Sequence, residues 1–176
     1  MKAARVRDED KFALTQKMVK LGFRRKIIVH SLNASDRVID FLRKEFHLSD
    51  VSIGRLKHSE TLLNTTHKKV EATNFMSIYL RRSKDPNNSD NIVDVVSAFE
   101  IYRELNLKFR PEEASKMMID ANEAWTLARD FRAEEIRMVR CYRCDLSFIS
   151  PQSCDRPRKK HICPFCSDTE AENESS

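Results

Sequence analysis

Cys141-Tyr142-Arg143-Cys144 and Cys163-Pro164-Phe165-Cys166 are two Cys-x-x-Cys pairs with 18 residues between them. Zinc takes four ligands at tetrahedral corners, and thiolates are soft anionic donors that suit it. One Cys-x-x-Cys turn supplies two thiolates from a single short loop, and two turns complete the shell. This spacing is that of a zinc site in an intracellular chain. Three other readings use the same residues: paired disulfides, a redox pair, or an iron–sulfur cluster. A thioredoxin-like redox pair needs a βαβ setting, and the sequence has no such pattern. One structural Zn²⁺ on Cys141, Cys144, Cys163 and Cys166 is the preferred reading. Four thiolates close the shell and leave no position for an activated water, so no catalytic residue is assigned and no enzyme is expected. Cys154 and His161 lie inside the 18-residue loop. They are read as spectators, with His161 the better substitute ligand.

The approach to these cysteines is basic. Arg137, Arg140, Arg143, Arg156, Arg158, Lys159 and Lys160 face only Asp145 and Asp155 over positions 137–161. A second basic region holds Lys11, Lys17, Lys20, Arg24, Arg25 and Lys26, with no acid between Lys11 and Ser35. The net charge of +5 understates this, because the last ten residues carry four acids and no base. Two basic regions beside a closed metal site point to a polyanion, most simply double-stranded DNA. The candidate phosphate contacts are Arg24, Arg25, Lys26, Arg137, Arg140, Arg143, Arg158, Lys159 and Lys160. The competing reading is a zinc knuckle that docks another protein and touches no DNA.

The elements that must position these groups read as helices. The 176 residues include 2 glycines, where average usage of about 7% would give roughly twelve. Folds built on tight hairpins or glycine-rich phosphate loops need more. Apolar spacing predicts a helix from Asp8 to about Phe23, ending near Gly22, and a second over Arg24 to Leu32. Ser35 or Asp36 can cap a third over Arg37 to Phe46, with Val38, Ile39, Phe41, Leu42 and Phe46 on one face. Residues 24–46 thus have the order of a helix-turn-helix, although any antiparallel helical hairpin reads alike. A short helix can begin at Ser59, a buried one spans Val70 to Leu80, and Asn91 can cap another over Ile92 to Leu105. Pro111 with Glu112 and Glu113 suits a helix start. That helix is predicted to run to about Val139 as the longest in the chain, with Met117, Met118 and Trp125 as core or partner contacts.

The segment Glu123-Ala124-Trp125-Thr126-Leu127-Ala128-Arg129, followed after eleven residues by Cys141-x-x-Cys144, resembles FlhC, the zinc-containing subunit family of the bacterial flagellar master regulator. Leu21-Gly22-Phe23-Arg24, Leu32-Asn33-Ala34-Ser35 and the run Arg37 to Glu45 resemble the family's helix-turn-helix-like segment. Asn91 to Tyr102 is similar to its central helix. The resemblance implies a mainly α protein, with a helical domain over 1–139 and a Cys₄ zinc module over 140–168; the composition of 169–176 reads as an acidic disordered tail, where longer family members continue with basic residues. The resemblance implies that the four ligands fall on Cys141, Cys144, Cys163 and Cys166. It further implies transcription activation at flagellar or related promoters, in a hetero-oligomer with an FlhD-like partner and with RNA polymerase as a further contact. The start Met1 to Asp10 has no apolar signal core, and no run approaches the ~20 residues of a membrane span. The expected location is the cytoplasm.

Overall fold

A computed structural model of the chain describes residues 8–49, 54–87, 91–111, 118–152 and 160–167. The described residues are mostly helical, with one pair of strands among them, and the chain divides into two compact units, Met1–Arg55 and Leu56–Ser176. None of its described helices is long and apolar enough to cross a membrane.

In the first unit, α1 spans Asp8–Lys20, α2 Arg25–Leu32 and α3 Asp36–Glu45. Gly22 stops α1. Its φ of +83° is open to glycine at no steric cost. The Phe23 amide then donates to Met18 O at 3.0 Å, and the Gly22 amide to Val19 O at 3.1 Å. This is the Schellman pattern, and the buried Met18 and Phe23 supply its apolar contact. Asn33, at φ +49°, closes α2, and its amide donates to Val29 O. Ser35 is the cap of α3 and accepts from the Val38 amide at 3.4 Å. Met18, Phe23, Ile27, Ile28, Ile39 and Leu42 form the buried core. Phe41 departs from expectation: it is 60% exposed. At 3.6 residues per turn it stands more than half a turn from Ile39, so the face that buries Ile39 and Leu42 turns it outward.

In the second unit, α4 spans Ser59–Leu62, α5 Thr66–Arg82, α6 Ile92–Phe109 and α7 Ala121–Arg132, followed by β1 Ile136–Arg140 and β2 Ser147–Pro151. Phe75, Tyr79, Phe99 and Tyr102 pack α5 on α6, with the Phe75 and Tyr102 rings edge to face at 6.1 Å. Thr65 caps α5, its hydroxyl accepting from the Lys68 amide. Asn91 occupies the cap position of α6, but its side chain makes no cap bond. It instead donates to Ser83 Oγ and Asp85 O and accepts from Tyr79 Oη, which pins the turn after α5. β1 and β2 are antiparallel, with Ile136 opposite Pro151 and Arg140 opposite Ser147. Thr73 of α5 holds this hairpin: its hydroxyl accepts from the Ile149 amide at 3.1 Å.

The long helix predicted from Pro111 to Val139 does not form. Residues 112–117, which include Met117, lie outside the described residues. α7 starts at a new capping box, in which Asp120 accepts from the Glu123 amide and Glu123 accepts from the Asp120 amide. It ends at Ala133, because Glu134 takes φ +58° and the Glu135 amide donates to Asp130 O at 2.9 Å. This is again a Schellman stop, now with glutamate where glycine is usual. Ile136 to Arg140 is then strand, so α6 with 18 residues is the longest described helix. Trp125 is half-buried and lies under the Arg129 guanidinium at 5.2 Å.

One buried polar network joins α5 to α6. Glu71 is fully buried, accepts from Tyr102 Oη and pairs with Arg110 at 2.8 Å. Tyr102 Oη in turn accepts from the Ile119 amide at 3.2 Å. Burial, and then the carboxylate, push the Tyr102 phenol above its ordinary pKa, so it stays a donor. Tyr102→Phe takes this partner from both Glu71 and Ile119, and should lower stability by roughly 1–3 kcal/mol in urea unfolding. A neutral result would remove the network from the account. Glu134→Gly relieves a left-handed residue that costs about 1–2 kcal/mol, less the glycine entropy term, and should raise the unfolding midpoint.

Candidate metal centre

The first cysteine pair is the turn of the β1–β2 hairpin. Cys141 directly follows β1. Its amide donates to Leu146 O and its carbonyl accepts from the Asp145 amide, both at 2.9 Å. Asp145 takes φ +58°, which lets the chain reverse into β2 without glycine. The second pair opens a helical turn over 164–167, where the amides of Cys166 and Ser167 both donate to Cys163 O at 3.1 Å. Two bonds tie one pair to the other. The Tyr142 amide donates to His161 O at 3.0 Å, and the Cys163 amide donates to Cys141 Sγ at 3.3 Å.

The four sulfurs lie within 4.8 Å of one another, and Cys144 Sγ stands 3.6 Å from Cys163 Sγ. Four ligands at a zinc–sulfur distance of about 2.3 Å sit about 3.8 Å apart at tetrahedral corners. The group therefore fits one ion at its centre. A cluster of several irons and sulfides would hold the thiolates farther apart. All four cysteines are free thiols. Cys141 and Cys163 are buried with Val139 and Phe148, Cys166 packs against that cluster, and Cys144 is exposed. His161 does not join the group, and Cys154 lies outside the described residues.

Burial and hydrogen bonding make the thiols unequal. Burial pushes the Cys141 thiol up, but backbone amides donating from Cys163, Cys144 and Arg143 outweigh it and bring the thiol down to about 6. Burial raises Cys163. Cys166 is pushed up to about 12, first by its hydrogen bonds with Cys144 and Cys163. Cys141 ionises readily, while Cys163 and Cys166 hold their protons. A divalent cation supplies the missing positive charge and releases those protons.

The basic residues fall into two groups. On the hairpin and knuckle, Arg137, Arg140, Arg143 and Lys160 are all exposed. Arg140 pairs with Asp145 at 3.1 Å across two well-exposed side chains, a contact that solvent screens. Arg143 and Lys160 lie over the Tyr142 ring at 5.8 and 4.8 Å. Arg158 and Lys159 lie outside the described residues. In the first unit Lys26 is exposed, while Arg24 and Arg25 are half-buried and serve the fold. Arg24 donates to Gly54 O, and Arg25 bridges to Asp36 and Asp40. Lys11 donates to Asn33 O, and Lys20 lies over the Phe46 ring. The absence of acids from 12–34 thus overstates the free positive charge, because the partners come from α3 and from backbone carbonyls. Sequence reasoning missed Tyr142, which collects two cations, and Thr73, which fixes the hairpin. A lone tyrosine or threonine carries no periodic signal.

The family model described as flagellar transcriptional activator (FlhC) matches residues 1–174. The chain is 24% identical over 161 residues to the flagellar transcriptional regulator FlhC of Proteus mirabilis, covering 92% of this chain and 80% of that protein. It is 22% identical over 149 residues to the protein of that name from Gallionella capsiferriformans, covering 85% and 79%. The match to the one from Thauera aminoaromatica is 22% over 161 residues, covering 92% and 79%.

Cys163→Ser removes the sulfur 3.6 Å from Cys144 Sγ, a member of the group of four, and keeps the backbone amide that donates to Cys141 Sγ. The metal content should fall from about one ion per chain to near none, because one of four ligands is lost. The hairpin amides should lose protection from exchange, while the helical signal of α5 to α7 persists. Unchanged metal content in this variant would refute the ligand set.

Proposed function

The chain belongs to the FlhC family of flagellar transcriptional activators, and on that premise we propose that it acts as a transcription activator subunit that binds promoter DNA together with an FlhD-like partner. The observation that carries this reading is the family match over nearly the whole chain, together with a four-cysteine group of single-ion dimensions. The ion is zinc, held by Cys141, Cys144, Cys163 and Cys166, and its role is structural. Thiolate ligands favour zinc over the harder cations, and a filled shell leaves no open site for hydrolysis. The protein is accordingly a regulator rather than an enzyme, and it works in the cytoplasm where promoters are.

The zinc knuckle holds the hairpin; the hairpin presents Arg137, Arg140 and Arg143 to the phosphate backbone, and Lys160, over the Tyr142 ring, joins them from the second cysteine segment. Arg158 and Lys159 extend the same charged run along the sequence. Lys26 is the first unit's exposed contributor. Arg24 and Arg25 act through the fold they bracket. RNA polymerase is a further contact at the promoter.

A second reading has support of its own. Tyr142, Leu146 and Phe165 are 49%, 44% and 58% exposed on the same knuckle. An apolar cluster of this kind suits a protein partner, with no DNA contact from the module.

The two readings separate on one experiment. Retardation of flagellar promoter DNA is measured with the partner present over a salt series. Binding should weaken steeply as salt rises. The triple variant Arg137→Glu, Arg143→Glu, Lys160→Glu should bind DNA at least about tenfold more weakly and show a shallower salt slope. Partner binding should be retained. Intact DNA binding with a lost partner would favour the docking reading instead.

A further inference from the structure

A second group of metal-ligating side chains lies away from the cysteines. His58, Asp130 and Glu135 each place one ligand atom within 4.8 Å of the other two. They come from three places in the second unit: His58 precedes α4, Asp130 is in α7 and Glu135 precedes β1. Asp130 is fully buried, while His58 and Glu135 are exposed. We propose that these three residues form a second divalent-cation site, independent of the four cysteines.

The backbone organises the group. The Ser59 amide, next to His58, donates to Asp130 Oδ2 at 3.1 Å. The Glu135 amide donates to Asp130 O at 2.9 Å, and Glu135 O accepts from the Gln152 amide at 2.8 Å. His58 is thus held through its neighbour Ser59, and Glu135 through its own amide, each bonded to Asp130. The Asp130 carboxylate retains a place for an ion. Oδ1 takes the Arg129 guanidinium, with Nε and the terminal nitrogen each at 2.6 Å. Oδ2 takes the single Ser59 amide. A carboxylate offers about four lone-pair positions, so one on Oδ2 remains.

Charge and access agree. Asp130 and Glu135 carry two negative charges and Arg129 offsets one. One negative charge is left over, and an open cavity of about 320 Å³ lined by His58, Ser59, Glu60, Glu135 and Gln152 adjoins the group. Through this cavity an ion can enter and keep water ligands. One imidazole with two carboxylates suits zinc, or manganese, rather than calcium, which takes six to eight oxygens. A cation there would clip α4, α7 and the start of β1 together. This inference does not rest on the DNA-binding reading.

The test is a calorimetric titration of Zn²⁺ into full-length protein already holding one zinc per chain. A second equivalent should bind to the wild type. His58→Ala and Glu135→Gln, both exposed positions, should each weaken it by at least about tenfold, as loss of a direct ligand exceeds the 10–100-fold cost of losing an outer-shell partner at its low end. His30→Gln, on α2 of the first unit, should leave it unchanged. A manganese titration followed by water-proton relaxation reports the same site without competition from thiolates. Absence of the second equivalent in both titrations would overturn the proposal. So would a second equivalent that survives in both the His58 and Glu135 variants, since that marks adventitious surface binding only.

Discussion

Four sulfur atoms within 4.8 Å of one another are the constraint on which the C-terminal part of this protein depends. Burial disfavours thiolates, and each thiolate disfavours the next. Backbone amides ionise Cys141, while Cys163 and Cys166 hold their protons more tightly than ordinary thiols. A divalent ion at the centre removes the conflict. The same ion would join the turn of the hairpin to the helical turn at 164–167, which are separated by 18 residues of chain between Cys144 and Cys163. Two strands of five residues make a hairpin that is marginal alone. Thr73 of α5 against Ile149 fixes it along one strand, and the cysteine group closes its turn.

The four-cysteine group was legible in the sequence because its members are close in sequence and chemically specific. The helices of the first unit were legible for another reason. Their stops and starts, Gly22, Asn33 and Ser35, are residues whose chemistry matches the backbone they occupy. The end of α7 was not legible. Glu134 takes the left-handed conformation that Gly22 takes at the end of α1, yet glutamate gives no warning of it. Apolar spacing then ran the helix on through Ile136 and Val139, which lie in a strand paired with residues known only once the hairpin has formed. The scarcity of glycine pointed correctly to helices but hid the hairpin, because Asp145 makes the reversal at φ +58°.

Charge was the least legible property. Counting bases along 11–26 suggested a free cationic face, but Arg24 and Arg25 are drawn into contacts with Gly54, Asp36 and Asp40. Those partners lie at least eleven residues away in sequence. Around the knuckle the count holds better, since Arg137, Arg140, Arg143 and Lys160 are exposed. The proposed DNA-facing surface therefore rests on the hairpin that a bound metal would hold, and metal and nucleic acid binding should be linked.

The direct test is a chelator titration of the complex with its FlhD-like partner, in which metal release and promoter retardation are followed in the same samples at fixed low salt. The account predicts that the two curves fall together, with about one ion lost per chain, and that adding zinc restores both. Full retardation after the four-cysteine site has been emptied would contradict it.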